Sequence, residues 1–324
     1  MLLTPPATLV LAREHPALVR RRDHHRVRPG VYVDAAVWRA LQPWDRYLLR
    51  VHAVAITWNE PVFCLESAAA LHGLPTFGEA RHIHLLSPDA TTRRRGDVIV
   101  HGARDGRRID VVEGVCATAL TDTAVDLVRV LPPAFALAVA DAALRHGGTD
   151  AAIDFSAAGR AQANRRGIRQ LDWVQERATA EAESSGESVS RAVIEWLGYE
   201  RPELQVEFEH DDGTDRVDFF FRTARVIGES DGYGKYDASN RAAMRAHFVR
   251  EKKREDRLRP RVNGFGRWDW ADTLRVEPLD AKLRAAGLAP VRPRHSSMLA
   301  TLAANPRSLP PKRTRPVSSN GTSS

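Results

Sequence analysis

One stretch constrains this chain more than any other: Arg216-Val-Asp-Phe-Phe-Phe-Arg-Thr-Ala-Arg-Val-Ile-Gly-Glu-Ser-Asp-Gly-Tyr-Gly-Lys235. Two apolar runs, Val217–Phe221 and Val226–Gly228, flank a short polar turn, the pattern of a β-hairpin. Carboxylates sit within or beside each run. With the turn centred on Thr223 and Ala224, paired residue numbers sum to a constant and Asp218 falls opposite Glu229. Cross-strand partners share a face, with Cβ atoms roughly 4.5–5.5 Å apart. Asp231 lies two residues beyond Glu229, so the pleat returns it to that face. Three acids then crowd one patch, and like charges so close call for a bound cation or a raised pKa. Oxygen-rich clusters suit Mg²⁺ or Mn²⁺. The competing reading is a surface hairpin with acids on its wet face. Against it, Val217, Phe219 and Phe221 take one face while Phe220 joins Asp218 on the other, so both faces look covered. A covered acid wants a metal or a cation, and Lys235 is a candidate for the latter.

Upstream, Glu187–Gly198 reads as an amphipathic helix with Val189, Val193, Trp196 and Leu197 as its apolar stripe. Glu187 falls in the first turn, where an acid also suits the helix dipole. Leu204–His210 alternates like a strand, and Asp211-Asp-Gly213 turns it into the Asp218 strand. A long basic helix around Arg241–Arg259 and an aromatic strand, Phe265–Trp270, follow. In that helix Arg245, Lys252, Lys253, Arg254 and Arg257 spread over the exposed arc. They are either a solvated face laced with ion pairs such as Lys252 with Asp256 and Glu255 with Arg259, or a track for phosphates.

This order of elements, with these acids, resembles the PD-(D/E)XK nuclease superfamily, and more closely its actinobacterial branch related to very-short-patch repair endonucleases. The matching phrases are Glu187-Ser-Val-Ser-Arg191, Gln205-Val206, Arg216-Val-Asp-Phe219, Gly228-Glu-Ser-Asp-Gly-Tyr-Gly-Lys-Tyr236 and Glu251-Lys-Lys-Arg-Glu-Asp256. The resemblance implies a restriction-endonuclease-like mixed sheet over residues 183–290. It makes Asp218 and Glu229 the principal ligands of Mg²⁺ or Mn²⁺, with Glu187 approaching from the helix and Asp231 from the strand. It also implies metal-assisted hydrolysis of DNA phosphodiester bonds. Ser230-Asp231 stands where the superfamily carries its general-base lysine, leaving Lys235 or Lys252 for that role.

The first half has a different texture. Arg28-Pro-Gly-Val-Tyr-Val33 turns into a short strand, and Trp38–Ile56 is helical with a break at Pro43. Glu66–Pro75 reads as a short helix with Ser67 as an N-cap candidate. His82–Leu86 and Asp97–His101 read as strands across a basic turn, Arg93-Arg-Arg-Gly96. His82 and His84 share a strand face, either as a metal pair or as residues bonding locally. Thr118–Val130 and Phe135–Arg145 read as helices. Arg28–Val33, Ser67–Pro75, Gly114–Thr118 and Thr123–Leu127 resemble AbiEi-type antitoxins of type IV toxin–antitoxin systems. That resemblance implies a partial winged-helix segment over residues 1–35 and an antitoxin-like α/β domain over 36–147. DNA or a cognate toxin would be the partner. Residues 148–182 read as a helical connector and 305–324 as a disordered basic tail.

Composition bounds these readings. The 324 residues carry a net charge of +7 and a pI near 9.8, a balance that favours polyanionic partners. Cys64 and Cys116 lack metal-ligand spacing and suit buried thiols of a reducing cytoplasm. No apolar run approaches a membrane span, and a P-loop, a nucleophile elbow and a dinucleotide fingerprint are all missing. The expectation is an α/β (α+β) protein and a metal-dependent DNA endonuclease of the bacterial cytoplasm, with a toxin or a second copy of the chain as candidate protein partners. The alternative is a non-catalytic antitoxin-like regulator, or a toxin-binding protein, with a degenerate nuclease fold.

Overall fold

The computed structural model describes residues 8–17, 23–89, 91–102, 105–146, 153–211, 213–232, 251–303 and 305–309. Lys235 and Arg245 lie outside the described residues. A small antiparallel sheet, in the order β1-β3-β2, opens the fold: β1 (Val10–Leu11), β2 (His24–Arg28) and β3 (Val31–Asp34). Pro29 and Gly30 turn β2 into β3, and Gly30 takes the positive φ of +81° that this turn needs. The Asp34 carboxylate caps α1 (Ala35–Ala40) by accepting from the Ala36 and Val37 amides. Pro43 then stands in the first turn of α2 (Pro43–Ala55), where its missing N–H costs nothing.

A six-stranded mixed sheet follows, made of β4 (Val62–Phe63), β5 (Ile83–Ser87), β6 (Arg93–Arg95), β7 (Val98–Gly102), β8 (Ile109–Val112) and β9 (Val115–Thr118) in the order β6-β7-β5-β4-β9-β8. Arg93–Arg95, read from the sequence as a turn, is instead an exposed edge strand paired antiparallel to β7. An edge needs only one neighbour, and charged side chains suit it because they discourage further pairing. Helix α3 (Leu65–Leu71) packs beneath this sheet, and its C-terminal His72 bonds through Nε2 to the Thr118 carbonyl at 2.8 Å. Ser67 is not the cap of α3. Its hydroxyl meets the Tyr47 hydroxyl and accepts from the His84 amide, each at 2.8 Å.

Helices α4 (Leu120–Val128), α5 (Pro133–His146), α6 (Phe155–Ala161) and α7 (Ile168–Gln175) lead into the second half. There α8 (Ser185–Trp196), β10 (Glu203–His210), β11 (Gly213–Phe221), β12 (Val226–Asp231), helical residues 251–258 (α9), β13 (Gly264–Asp269), α10 (Trp270–Arg275) and α11 (Glu277–Ala285) follow in turn. The second sheet runs β10-β11-β12-β13, with three antiparallel strands and β13 parallel to β12. The whole is a mixed α/β fold. Among the described residues no helix is long and apolar enough to cross a membrane.

The halves share one core. Leu127, Phe135, Phe155, Leu171 and Val174 from α4–α7 join Val193, Trp196, Phe219 and Trp268 in a single apolar cluster. Within the stretch read as a helical connector, α6 and α7 are helices that contribute to this core. A second cluster, with Tyr47, Phe63 and Ile83, lies under the six-stranded sheet. A third, of Val217, Phe220, Ile227 and Leu258, lies between the second sheet and α9.

Asn305–Leu309, expected in a disordered tail, returns to the first half, where Ser308 bridges to Ala80. Ion pairing and backbone pairing hold this piece, which composition does not register.

Candidate functional site

The hairpin pairs Phe219 with Gly228, Phe220 with Ile227 and Phe221 with Val226. These pairs share the constant sum that sets Asp218 against Glu229, so the register is the one read from the sequence. At Asp218 the ladder loosens, and the carboxylate accepts from the Ser230 amide at 2.9 Å. Across the other neighbour, Gln205 adopts a left-handed backbone with φ of 51°. Val217 and Phe219 then fall in different apolar clusters. The sheet therefore turns over at Gln205 and Asp218, and the single face expected for Val217, Phe219 and Phe221 is not formed.

Helix α8 delivers Glu187 to this kink. Ser184 caps the helix, accepting from the Glu187 amide at 3.1 Å. The Glu187 carboxylate accepts from the Glu183 amide at 2.8 Å and the Gln205 side chain at 2.9 Å. Burial pushes the Glu187 carboxyl above its ordinary range, and the Asp218 charge adds to the rise. The same Asp218 charge bears on Glu229. Three of the predicted acids, Glu187, Asp218 and Glu229, are thus neighbours. Gly186 approaches β12 so closely that an added Cβ would stand 3.1 Å from the Ser230 hydroxyl.

The other residues of Glu187-Ser-Val-Ser-Arg191 face elsewhere. Ser188 and Arg191 both reach Asp141 on α5, the Arg191 guanidinium at 2.6 Å. Ser190 accepts from the Trp268 indole at 2.9 Å and bonds Thr273 at 3.1 Å. One helical turn therefore ties the acid to the sheet and to the first half of the chain.

Glu229 does not stand open to a metal. Its side chain is 7% exposed, and one oxygen takes the Arg254 guanidinium while the other takes Arg267 at 2.6 Å. Both arginines also hold Glu251, each with a contact at 3.2 Å. Burial still pushes the Glu229 carboxyl up, against the pull of Arg254 and Arg267. Asp231 ends β12 half-exposed, 3.7 Å from Arg267, and burial raises its carboxyl too. Among the described residues no group of three or more His, Cys, Asp or Glu could hold a metal ion. Both Glu229 oxygens are thus taken by guanidinium groups and are not offered to a cation in this arrangement.

Of the basic residues assigned to nucleic acid, Lys252 and Lys253 are exposed. Arg254 turns inward to Glu229, which removes it from the exposed arc. Arg257, although exposed, lies bidentate on Asp215 at 2.7 and 2.9 Å. Arg259 takes the anticipated i,i+4 pairing with Glu255. Gln205, Arg267 and the inward role of Arg254 were missed. Gln205 stood in a matched phrase without a role, and Arg267 was the single basic residue in the aromatic strand Gly264-Phe-Gly-Arg-Trp-Asp269.

No protein-family model matches the chain, and no solved structure does. It is similar to two uncharacterized proteins of Mycobacterium tuberculosis, MT2308 of strain CDC 1551 and Rv2248 of strain H37Rv. Each is 36% identical over 199 residues, covering 61% of this chain and 70% of the relative.

Proposed function

The chain belongs to the family of these two mycobacterial proteins, and from that premise we propose that it is a cytoplasmic DNA-binding protein with a nuclease-like second half whose acidic centre is closed by arginines. The carrying observation is Glu229 held between Arg254 and Arg267. A carboxylate that takes a charge-assisted hydrogen bond from a separate guanidinium on each oxygen is strongly satisfied, and its oxygens are then committed. The exposed Lys252 and Lys253 on the same helix, with the net charge of +7, support attraction to a phosphate backbone. The setting is defence or DNA processing, and a cognate toxin remains the candidate protein partner.

A second reading, a metal-dependent endonuclease using Mg²⁺ or Mn²⁺, is favoured by the closeness of Glu187, Asp218 and Glu229. It requires Arg254 to leave Glu229. Melting with and without Mn²⁺ separates the readings, since an ion bound only by the folded state raises the midpoint. On the first reading the wild type retains DNA at low salt and shows no Mn²⁺ shift, while Arg254→Ala gains a shift. A Mn²⁺ shift in the wild type, with DNA cleavage lost in Asp218→Asn, would establish the endonuclease instead. Failure to retain DNA at low salt would remove both.

A further inference from the structure

Far from the acidic centre, α3 buries a second carboxylate. Glu66 is 7% exposed at its side chain, and the Arg307 guanidinium lies on it in bidentate fashion, Nη2 at 2.6 Å from Oε2 and Nε on Oε1. Behind Glu66, His84 stands with Nε2 at 3.4 Å and Nδ1 at 2.9 Å from Nε2 of His101. These two histidines, with His82, form no metal group among the described residues. Burial holds His84 uncharged, down to about 3, so it brings no positive charge to Glu66. Burial alone would raise the Glu66 carboxyl, but Arg307 outweighs it and keeps it below the usual range.

Arg307 arrives on a tight turn, Asn305–Ser308, closed by the Ser308 amide donating to the Asn305 carbonyl at 3.1 Å. The Arg81 amide donates to the Arg307 carbonyl and the Leu309 amide to the Glu79 carbonyl, both at 2.8 Å, around an antiparallel bridge between Ala80 and Ser308. The Ser308 hydroxyl donates to the Phe77 carbonyl, and the Asn305 amide reaches the Ser308 hydroxyl at 3.0 Å. Gly78 leaves room for the segment, since an added Cβ would stand 3.3 Å from that of Ser308. A turn anchored by two backbone hydrogen bonds, with one side chain reaching a buried counter-charge, offers backbone affinity and side-chain specificity together, as peptide-reading domains do. No large apolar anchor accompanies it, and Leu309 is 41% exposed. A segment held this way opens more readily than the core.

We infer that the Glu66 face of the first half is a recognition site for a turn-forming, arginine-bearing peptide segment of a partner protein, and that Asn305–Leu309 occupies it as a resident stand-in. The tethered segment competes at high effective concentration, so a partner binds well only when the strap is weakened. The probe is a fluorescein-labelled peptide of residues 304–310, and the readout is anisotropy with the full-length chain. Arg307→Ala is expected to bind it at least tenfold more tightly than the wild type does. Binding to Arg307→Ala should vanish in the Glu66→Gln double variant, and for a peptide with alanine at its arginine. Equal binding by wild type and Arg307→Ala, or none by a folded Arg307→Ala, would overturn the inference. Hydrogen exchange on the wild type gives an independent check. The Arg81 and Leu309 amides should exchange well before those of α5, and protection equal to the core would sink the detachable strap.

Discussion

At the residue scale, one solution recurs. Glu66, Asp141 and Glu229 are buried acids, and each meets an arginine from an element remote in sequence. The guanidinium never loses its charge and carries several donors in a fixed plane, which a lysine cannot match. At Glu66 one arginine takes both oxygens, and at Glu229 two arginines take one each. Histidines are treated the other way. His52, His82, His84 and His101 all lie below their ordinary range, and burial is the main cause in each. Unfolding frees these rings to take protons below about 6.5, while folded His84 resists down to about 3. Stability should therefore fall as pH drops through that window, by at most about 1.4 kcal/mol per unit for His84. Glu66, held low by Arg307, loses its contribution lower in the same acid range. Urea midpoints at a series of pH values should show the decline, and His84→Gln should flatten its upper part. A His84→Gln midpoint that falls with acidification as steeply as that of the wild type would refute this.

At the scale of elements, the hairpin was legible because two strands and a short turn leave little freedom. Once Thr223 and Ala224 centre the turn, Asp218 must face Glu229. The element order from α8 to β13 was legible for a similar reason, since Val189, Val193, Trp196 and Leu197 keep the helical period and Leu204–His210 keeps that of a strand. The partners of Glu229 were not, because Arg254 and Arg267 come from separate elements and no local period points to them. The turnover at Gln205 was hidden too, since a left-handed glutamine breaks no sequence pattern. Close packing of β13 on α11 gives a further test. An added Cβ at Gly264 would stand 1.8 Å from the Ala286 carbonyl oxygen, whereas at Gly266 the nearest atom is the Ala286 Cβ at 3.4 Å. Gly264→Ala should cost about 3 kcal/mol or more, and Gly266→Ala less than about 1. Urea unfolding of the pair measures the contrast, and equal losses would contradict the packing.

For the molecule as a whole, the seam between the halves matters most. Leu127 and Phe135 share a core with Trp196 and Phe219, and Asp141 is fully buried against Arg191 at 2.6 Å. The chain should unfold in one step, with tryptophan fluorescence and far-ultraviolet dichroism coincident. Asp141→Ala leaves the guanidinium without its buried partner and should cost about 3–5 kcal/mol. Two separated transitions would show that the seam is weaker than its contacts suggest. Composition concealed this seam, because nothing in the charged helical connector singles out Phe155, Leu171 and Val174, which are fully buried.

Glu187 and Arg191 stand one turn apart on the same short rod, one aimed at Gln205 and the other at Asp141. A push on α5 would therefore tilt the acid at the kink, as a see-saw moves its far seat. Substitution scans should record damage at Ser188 and Arg191 as though those side chains took part in whatever Glu187 does, although the acid they both reach is Asp141.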